Sequence, residues 1–171
     1  MQIQISRYRE LDRARRDQID QAAWVEFEKY AIVRETEWAE ADWTFLGFEG
    51  GELVAYFNLV DRVVQFDGVP VRVAGVNNMV TMPAHRGRGH ASRLLREAQP
   101  QWFASLGFEA GLLLCADALV SFYERLGWRT VSCPVVYAQP DGEWTWKASC
   151  MVLEREPIVT EHRVDLRGPP W

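Results

Sequence analysis

Cysteine, histidine and long apolar runs are all scarce in this chain, and each scarcity closes off a class of function. The three cysteines, Cys115, Cys133 and Cys150, are odd in number and stand in no CxxC or Cys/His ligand spacing, which argues against a disulfide framework and against a metal site. The three histidines, His85, His90 and His162, are too scattered to suggest a catalytic set. The longest apolar stretch, GLLLCADALV, is too short to cross a bilayer. The opening MQIQISRYRELDRARRDQ carries charges throughout, unlike a secretory signal or a membrane anchor. Reduced thiols, a cytoplasmic location and no membrane partner are therefore expected. Basic charge is also short. A formal net charge of -5 argues against a nucleic-acid partner and suits a cationic substrate. At 171 residues the chain can bury one hydrophobic core, so a single domain over 1–171 is expected, with monomer and homodimer both left open.

What is present has a clear order. Residues 3–6 alternate as a short strand, and from Glu10 a helical stripe passes through Leu11, Ile19, Ala23 and Phe27. Arg13, Arg15 and Arg16 interleave with Asp12, Asp17 and Asp20, the pattern of a salt-laced solvent face. WTFLGFE, ELVAYFNLVDRVVQF and VPVRVAGVNNMVTM, joined at Gly50/Gly51 and Asp67/Gly68, predict a three-strand antiparallel meander. Helix over 88–105, strand over 109–115, helix over 117–126 and strand over 128–137 then predict a βαβ crossover. A last strand is expected along GEWTWKASCMVL, after the turn at 140–142, with an irregular tail from Arg155. The whole reads as an α+β fold.

The stretch PAHRGRGHASRLL, residues 83–95, carries the chemistry. A strand ending at Met82, a proline stop, a glycine-rich turn and a new helix together make an anion site, because helix-terminal N–H groups lack intrahelical partners and carry partial positive charge. Gly87 and Gly89 let the backbone approach a diphosphate, and Arg86, Arg88 and Arg93 can neutralise it. No GK[ST] follows, which excludes a Walker loop, and GRGHAS has serine where a dinucleotide motif needs its third glycine.

Arg86-x-x-Gly89-x-Ala91 resembles the R/QxxGxG/A acyl-CoA loop of the GNAT N-acetyltransferases, and SFYERLGW at 121–128 resembles their YExxGF signature. The asparagine that many members carry seven residues before the tyrosine is Ala116 here. The resemblance implies a mixed, splayed β-sheet flanked by helices, with acetyl-CoA as co-substrate. It implies a cofactor-binding set of Met79, Val80, Thr81, Arg86, Gly87, Arg88, Gly89, His90, Ala91 and Ser92. The Met79 amide would meet the thioester oxygen in an oxyanion-hole role, and Thr81 would pair with pantetheine. Tyr123 would be the general acid for the departing thiolate.

EADW followed by LG, and the ending DLRGPPW, are similar to segments of the aminoglycoside 2'-N-acetyltransferases. That likeness implies an acceptor site formed by Glu37, Glu40, Asp42, Asn77 and the terminal carboxylate of Trp171, with the tail 155–171 folding toward it. Asn77 falls where those enzymes use a glutamate near the amine. Trp38, Trp43, Trp144 and Trp146 are candidates for sugar stacking around the cleft. Three accounts stay open: an acetyl-CoA enzyme acting on a small cationic amine, one acting on a protein amine, and a catalytically silent acyl-CoA sensor.

Overall fold

In the computed structural model, which describes residues 1–171, β1 (Gln2–Arg7) leads into α1 (Arg13–Phe27) and a short α2 (Ala31–Glu35). The meander follows as β2 (Trp43–Glu49), β3 (Glu52–Phe66) and β4 (Val69–Thr81). Next come α3 (His90–Ala104), β5 (Ala110–Cys115) and α4 (Val120–Glu124). The remaining strands are β6 (Arg129–Thr130), β7 (Val135–Gln139), β8 (Gly142–Thr145), β9 (Ser149–Glu154) and β10 (Val164–Asp165). All ten strands share one mixed sheet, in which β4 and β5 run parallel and most other pairs antiparallel. Both tight turns of the meander need left-handed backbone: Gly50 and Gly51 have φ of 58° and 84°, and Asp67 and Gly68 have 49° and 83°.

β3 is the spine. One edge pairs with β4 along most of its length, while the other is divided between β2, at residues 52–59, and β10, at residues 65–66. Its side chains alternate between the two sheet faces. Ala55, Phe57 and Leu59 join the cluster under α3 and α4, with Leu94, Leu95, Trp102 and Trp128. On the other face Tyr56 packs with Ile19 of α1, and Val60, Val64 and Phe66 pack with Val164, Leu166 and Trp171 of the tail. Asp12 caps α1, its side chain accepting from the Arg15 amide at 2.8 Å. That cap is why the helix begins at Arg13 rather than at Glu10.

The structure corrects the second half of the sequence reading. The single strand expected over 128–137 is two: β6 pairs with β9, β7 pairs with β8 and β10, and Pro134, which has no amide to donate, lies between them. GEWTWKASCMVL also divides, β8 folding back on β7 and β9 pairing with β5 and β6. The Trp146 amide donates to Val135 O at 2.8 Å, beyond the end of β8, and its ring turns toward Trp38 and Tyr137. The helix expected over 117–126 is a 3-10 turn at Asp117–Leu119 followed by the single turn and a half of α4.

The tail is part of the fold. β10 inserts between β3 and β7, and the Asp67 carboxylate gathers the amides of Glu161, His162 and Arg163 at 2.7–3.0 Å. Beyond it the Trp171 ring, 3 % exposed, lies flat on Gly75 of β4. The Arg62 guanidinium donates to Pro169 O at 2.5 Å and stands 5.3 Å from the indole centroid. A Cβ on Gly75 would come within 2.4 Å of that ring. Gly75→Ala is therefore expected to lower stability by about 1–3 kcal/mol, seen as a lower urea midpoint, and to cost less once Trp171 is itself alanine.

Candidate active site

The parallel ladder between β4 and β5 ends at the pair Val76 and Leu113, and from Asn77 onward β4 has no partner on that side. On its other side β4 still pairs with β3, but the register shifts: Asn58 faces Asn77 and Tyr56 faces Val80, so Asn78 and Met79 together oppose Phe57. This is a β-bulge, and Asn78 takes the left-handed φ of 49° that the extra residue requires. Met79 and Thr81 are half-buried, whereas the Val80 side chain is buried against α1, which leaves its backbone as the part a ligand could meet.

The chain then makes a 3-10 turn, Pro83–His85, and enters α3 through Gly87 and Gly89, with φ of 74° and 76°. Space in front of both glycines is open, no atom lying within 4 Å of where a Cβ would stand. Gly89 is the N-cap of α3, so the helix begins at His90 and its first amides face the loop. Arg86, Gly87, Arg88 and Gly89 are exposed, Ala91 and Ser92 half-buried, and His90 turns inward at 6 % exposure. Extended edge, bulge, left-handed glycines and helix terminus form one continuous polar track.

Tyr123 of α4 is buried. It shares a buried cluster with Val76, Leu113, Cys115 and Met79, and its ring meets Phe122 and Trp128 edge-on at 4.9 and 6.0 Å. Burial pushes its phenol well above the usual tyrosine range, so the group holds its proton at neutral pH. Burial also pushes the Cys115 thiol up to about 11. At neutral pH both groups therefore keep their protons.

On the tail-covered face, Thr44, Asn58 and Asn77 stand in register across β2, β3 and β4, and the Thr44 hydroxyl donates to Asn58 Oδ1 at 2.9 Å. Glu37 and Glu40 are exposed and make no ion pair. Asp42 is committed in part to the fold, because its Oδ2 accepts from the Asp61 amide at 2.8 Å. The segment carrying these acids is stitched to β7 and the tail: Glu37 N donates to Gln139 Oε1 at 2.9 Å and Ala39 N to Pro170 O at 2.8 Å. Trp144 and Trp146 flank Tyr137 with ring centroids 6.4 and 6.2 Å away, and Trp38 meets Trp146 at 6.3 Å; Tyr137 and Trp144 line an open cleft of about 490 Å³ together with Glu35, Thr36, Glu143 and Lys147. Trp43 does not join them, for it faces the α3 side of the sheet beneath Arg7.

Residues 6–131 match the family model described as the acetyltransferase (GNAT) domain. The chain belongs to the GNAT acetyltransferase family. Solved structures share the fold at low identity. A GNAT family N-acetyltransferase (YhbS) from Escherichia coli in complex with CoA is 15% identical, with a TM-score of 0.66 over 97% of this chain and 89% of that one. A GNAT family acetyltransferase from Brucella melitensis in complex with acetyl-CoA is 17% identical, with a TM-score of 0.61 over 95% and 94%. Escherichia coli ElaA is also 17% identical, at 0.60 over 90% and 99%. No curated protein matches the chain.

Within this GNAT domain the sequence reading missed the carboxylates that surround the glycine loop, Glu26, Glu49 and Glu52. Glu49 and Glu52 flank the Gly50/Gly51 turn, and only the three-dimensional course of the loop shows that this turn lies beside it. The thiols supply a test of the buried gap. With a pKa of about 11, Cys115 at pH 8 is thiolate in roughly one molecule in a thousand, and Cys133 and Cys150 are shifted in the same direction by burial. Native protein should react with a disulfide reagent at pH 8 at least about tenfold more slowly than the urea-unfolded chain. Because the unfolded thiols release their protons first, stability should fall as pH rises from about 9 toward 11.

Proposed function

We propose that the protein moves the acetyl group of acetyl-CoA directly to a primary amine of a small cationic acceptor, in a ternary complex. The observation that carries this reading is the stretch of β4 beyond Val76, bare toward β5, bulged at Asn78 and running from Tyr123 to the glycine loop. Acetyl-CoA supplies an activated thioester. The amides and arginines from Arg86 to Ser92 would hold its diphosphate, and the backbone of Val80 and Thr81 its pantetheine arm. The Met79 amide is the donor for the thioester oxygen, where negative charge grows during attack. Tyr123, protonated at neutral pH, is the acid for the departing thiolate. The high thiol pKa of Cys115 speaks against a covalent acetyl relay through this cysteine.

The acceptor side would be the tail-covered face, with Asn77 on its floor, Glu37, Glu40 and Asp42 on one wall and Trp171 at its base. A cation suits both the acidic wall and the net charge of -5. The ties from Ala39 to Pro170 and from Glu37 to Gln139 narrow this side, which favours a small acceptor over a protein chain. Tyr137 and Trp144, with Glu35 beside them, offer flat faces and one carboxylate without an ion pair to an aminoglycoside-like polyamine, whereas Glu143 is paired with Arg163 and Lys147 adds a cation to the same cleft. Asn77 can orient an amine by hydrogen bonding but cannot take its proton, so the amine attacks in its neutral form and the proton it loses as the amide forms passes to water.

The test is a screen of amines with acetyl-CoA, followed by release of free thiol. On the best acceptor, Tyr123→Phe should lower kcat by roughly ten- to ten-thousandfold and leave the coenzyme dissociation constant nearly unchanged. Full turnover by that variant would remove the acid role. The KM for the amine should climb with salt as the Debye length falls from about 10 Å at 0.1 M toward about 3 Å at 1 M, and a flat KM would point to an uncharged acceptor.

A further inference from the structure

The basic side chains that make the glycine loop attractive to a diphosphate are not equivalent. Arg86 donates to Glu26 Oε2 of α1 at 2.6 Å and to Thr81 O at 3.3 Å. Arg93 reaches Glu97 at 2.7 Å and Glu49 at 3.3 Å. His85 faces Glu52 at 3.4 Å, and the Nδ1 of His90 faces Glu49 at 3.5 Å. Arg88 alone among the loop arginines has no carboxylate partner. Much of the loop's positive charge is thus already neutralised from within the protein.

These contacts differ in kind. Glu97 lies one helical turn after Arg93 on the same helix, and Glu49 and Glu52 belong to the β2–β3 turn packed beside the loop. Glu26 belongs to neither. It comes from the last turns of α1, has Lys29 as a second cation at 3.8 Å, and makes the ion pair that joins α1 to the loop. Its pair with Arg86 is partly exposed, with side chains 31 % and 53 % accessible, so it is weak enough to be broken by a stronger anion. A diphosphate is such an anion, offering several charged oxygens to one guanidinium.

We propose that coenzyme binding at this loop is an exchange of partners, in which the phosphates take Arg86 from Glu26 and leave Glu26 to Lys29. The proposal rests on the reading of the loop as the coenzyme site. Glu26 is then a competitor of the coenzyme for Arg86, and a determinant of how tightly the phosphates are held. Arg86 contributes less than its charge suggests, because binding must first break its existing pair. Arg88, which has no pair to break, contributes more.

Calorimetric titration with coenzyme A, and separately with pantetheine, which lacks the diphosphate, tests the exchange in four variants: Glu26→Gln, Arg86→Gln, the double variant, and Arg88→Gln. Glu26→Gln should bind coenzyme A about two- to fivefold more tightly than the wild type. The gain should vanish in the Arg86→Gln background, and pantetheine binding should not change, which also shows that the variant is folded. Arg88→Gln should weaken coenzyme A more than Arg86→Gln does. Unchanged or weaker coenzyme A binding by Glu26→Gln, or an equal gain without Arg86, overturns the exchange while leaving the coenzyme site in place. A wild-type protein that binds no coenzyme A overturns both.

Discussion

The parting of β4 from β5 after Val76 is the constraint around which the remaining elements are arranged. Two parallel strands that stayed paired to their ends would bury the backbone of Asn77–Thr81 in the ladder and leave nothing for a ligand to pair with. Here the paired part, Val73–Val76, is held from both faces, by the α3 cluster on one side and by the tail on the other. The part bare toward β5 keeps its shape through β3 and through Val80, buried against α1. The bulge at Asn78 is possible because only one neighbour has to accommodate it. A rigid half and a bare half of the same strand meet at one residue.

The electrostatics follow a similar division. The protein is acidic overall, yet the basic residues of the glycine loop are clustered and, Arg88 excepted, each faces a glutamate from α1, the β2–β3 turn or α3. On the opposite side, Glu37 and Glu40 stand without ion pairs. On the proposed function, the anion would meet the loop, where Arg88 is without a carboxylate partner, and the cation would meet these unpaired acids. That polarity belongs to the arrangement, since the net charge alone carries only its sign.

Much of the architecture was legible in the sequence because its signals are local. The Gly50/Gly51 and Asp67/Gly68 turns, the alternation along residues 52–66 and the arginine and glycine spacing at 86–91 each depend on a few neighbouring residues, and the GNAT fold and family follow from them. What the sequence hid depends on distant partners. Pro134 was the one local hint that 128–137 is two strands, and their separation is visible only because β9 and β10 pair with different halves. Asp42 reads as a free carboxylate until the Asp61 amide is found 2.8 Å away, and Trp43 reads as a cleft residue until β2 turns it to the other face. The pairing of Arg86 with Glu26 spans 60 residues and leaves no periodic trace.

The insertion of β10 between β3 and β7 has a consequence for how the protein is made. On a ribosome, the chain through β9 emerges before Val164–Trp171, and until those residues follow, Gln65 and Phe66 at the end of β3 lack the strand that pairs with them on that edge. Gly75 and Leu112, which the final indole covers, are meanwhile open to water. A nascent chain in that condition exposes both a strand edge and an apolar face, the two features that invite association with other nascent chains. Residues 164–171 thus cover both a strand edge and an apolar face that the rest of the fold leaves open.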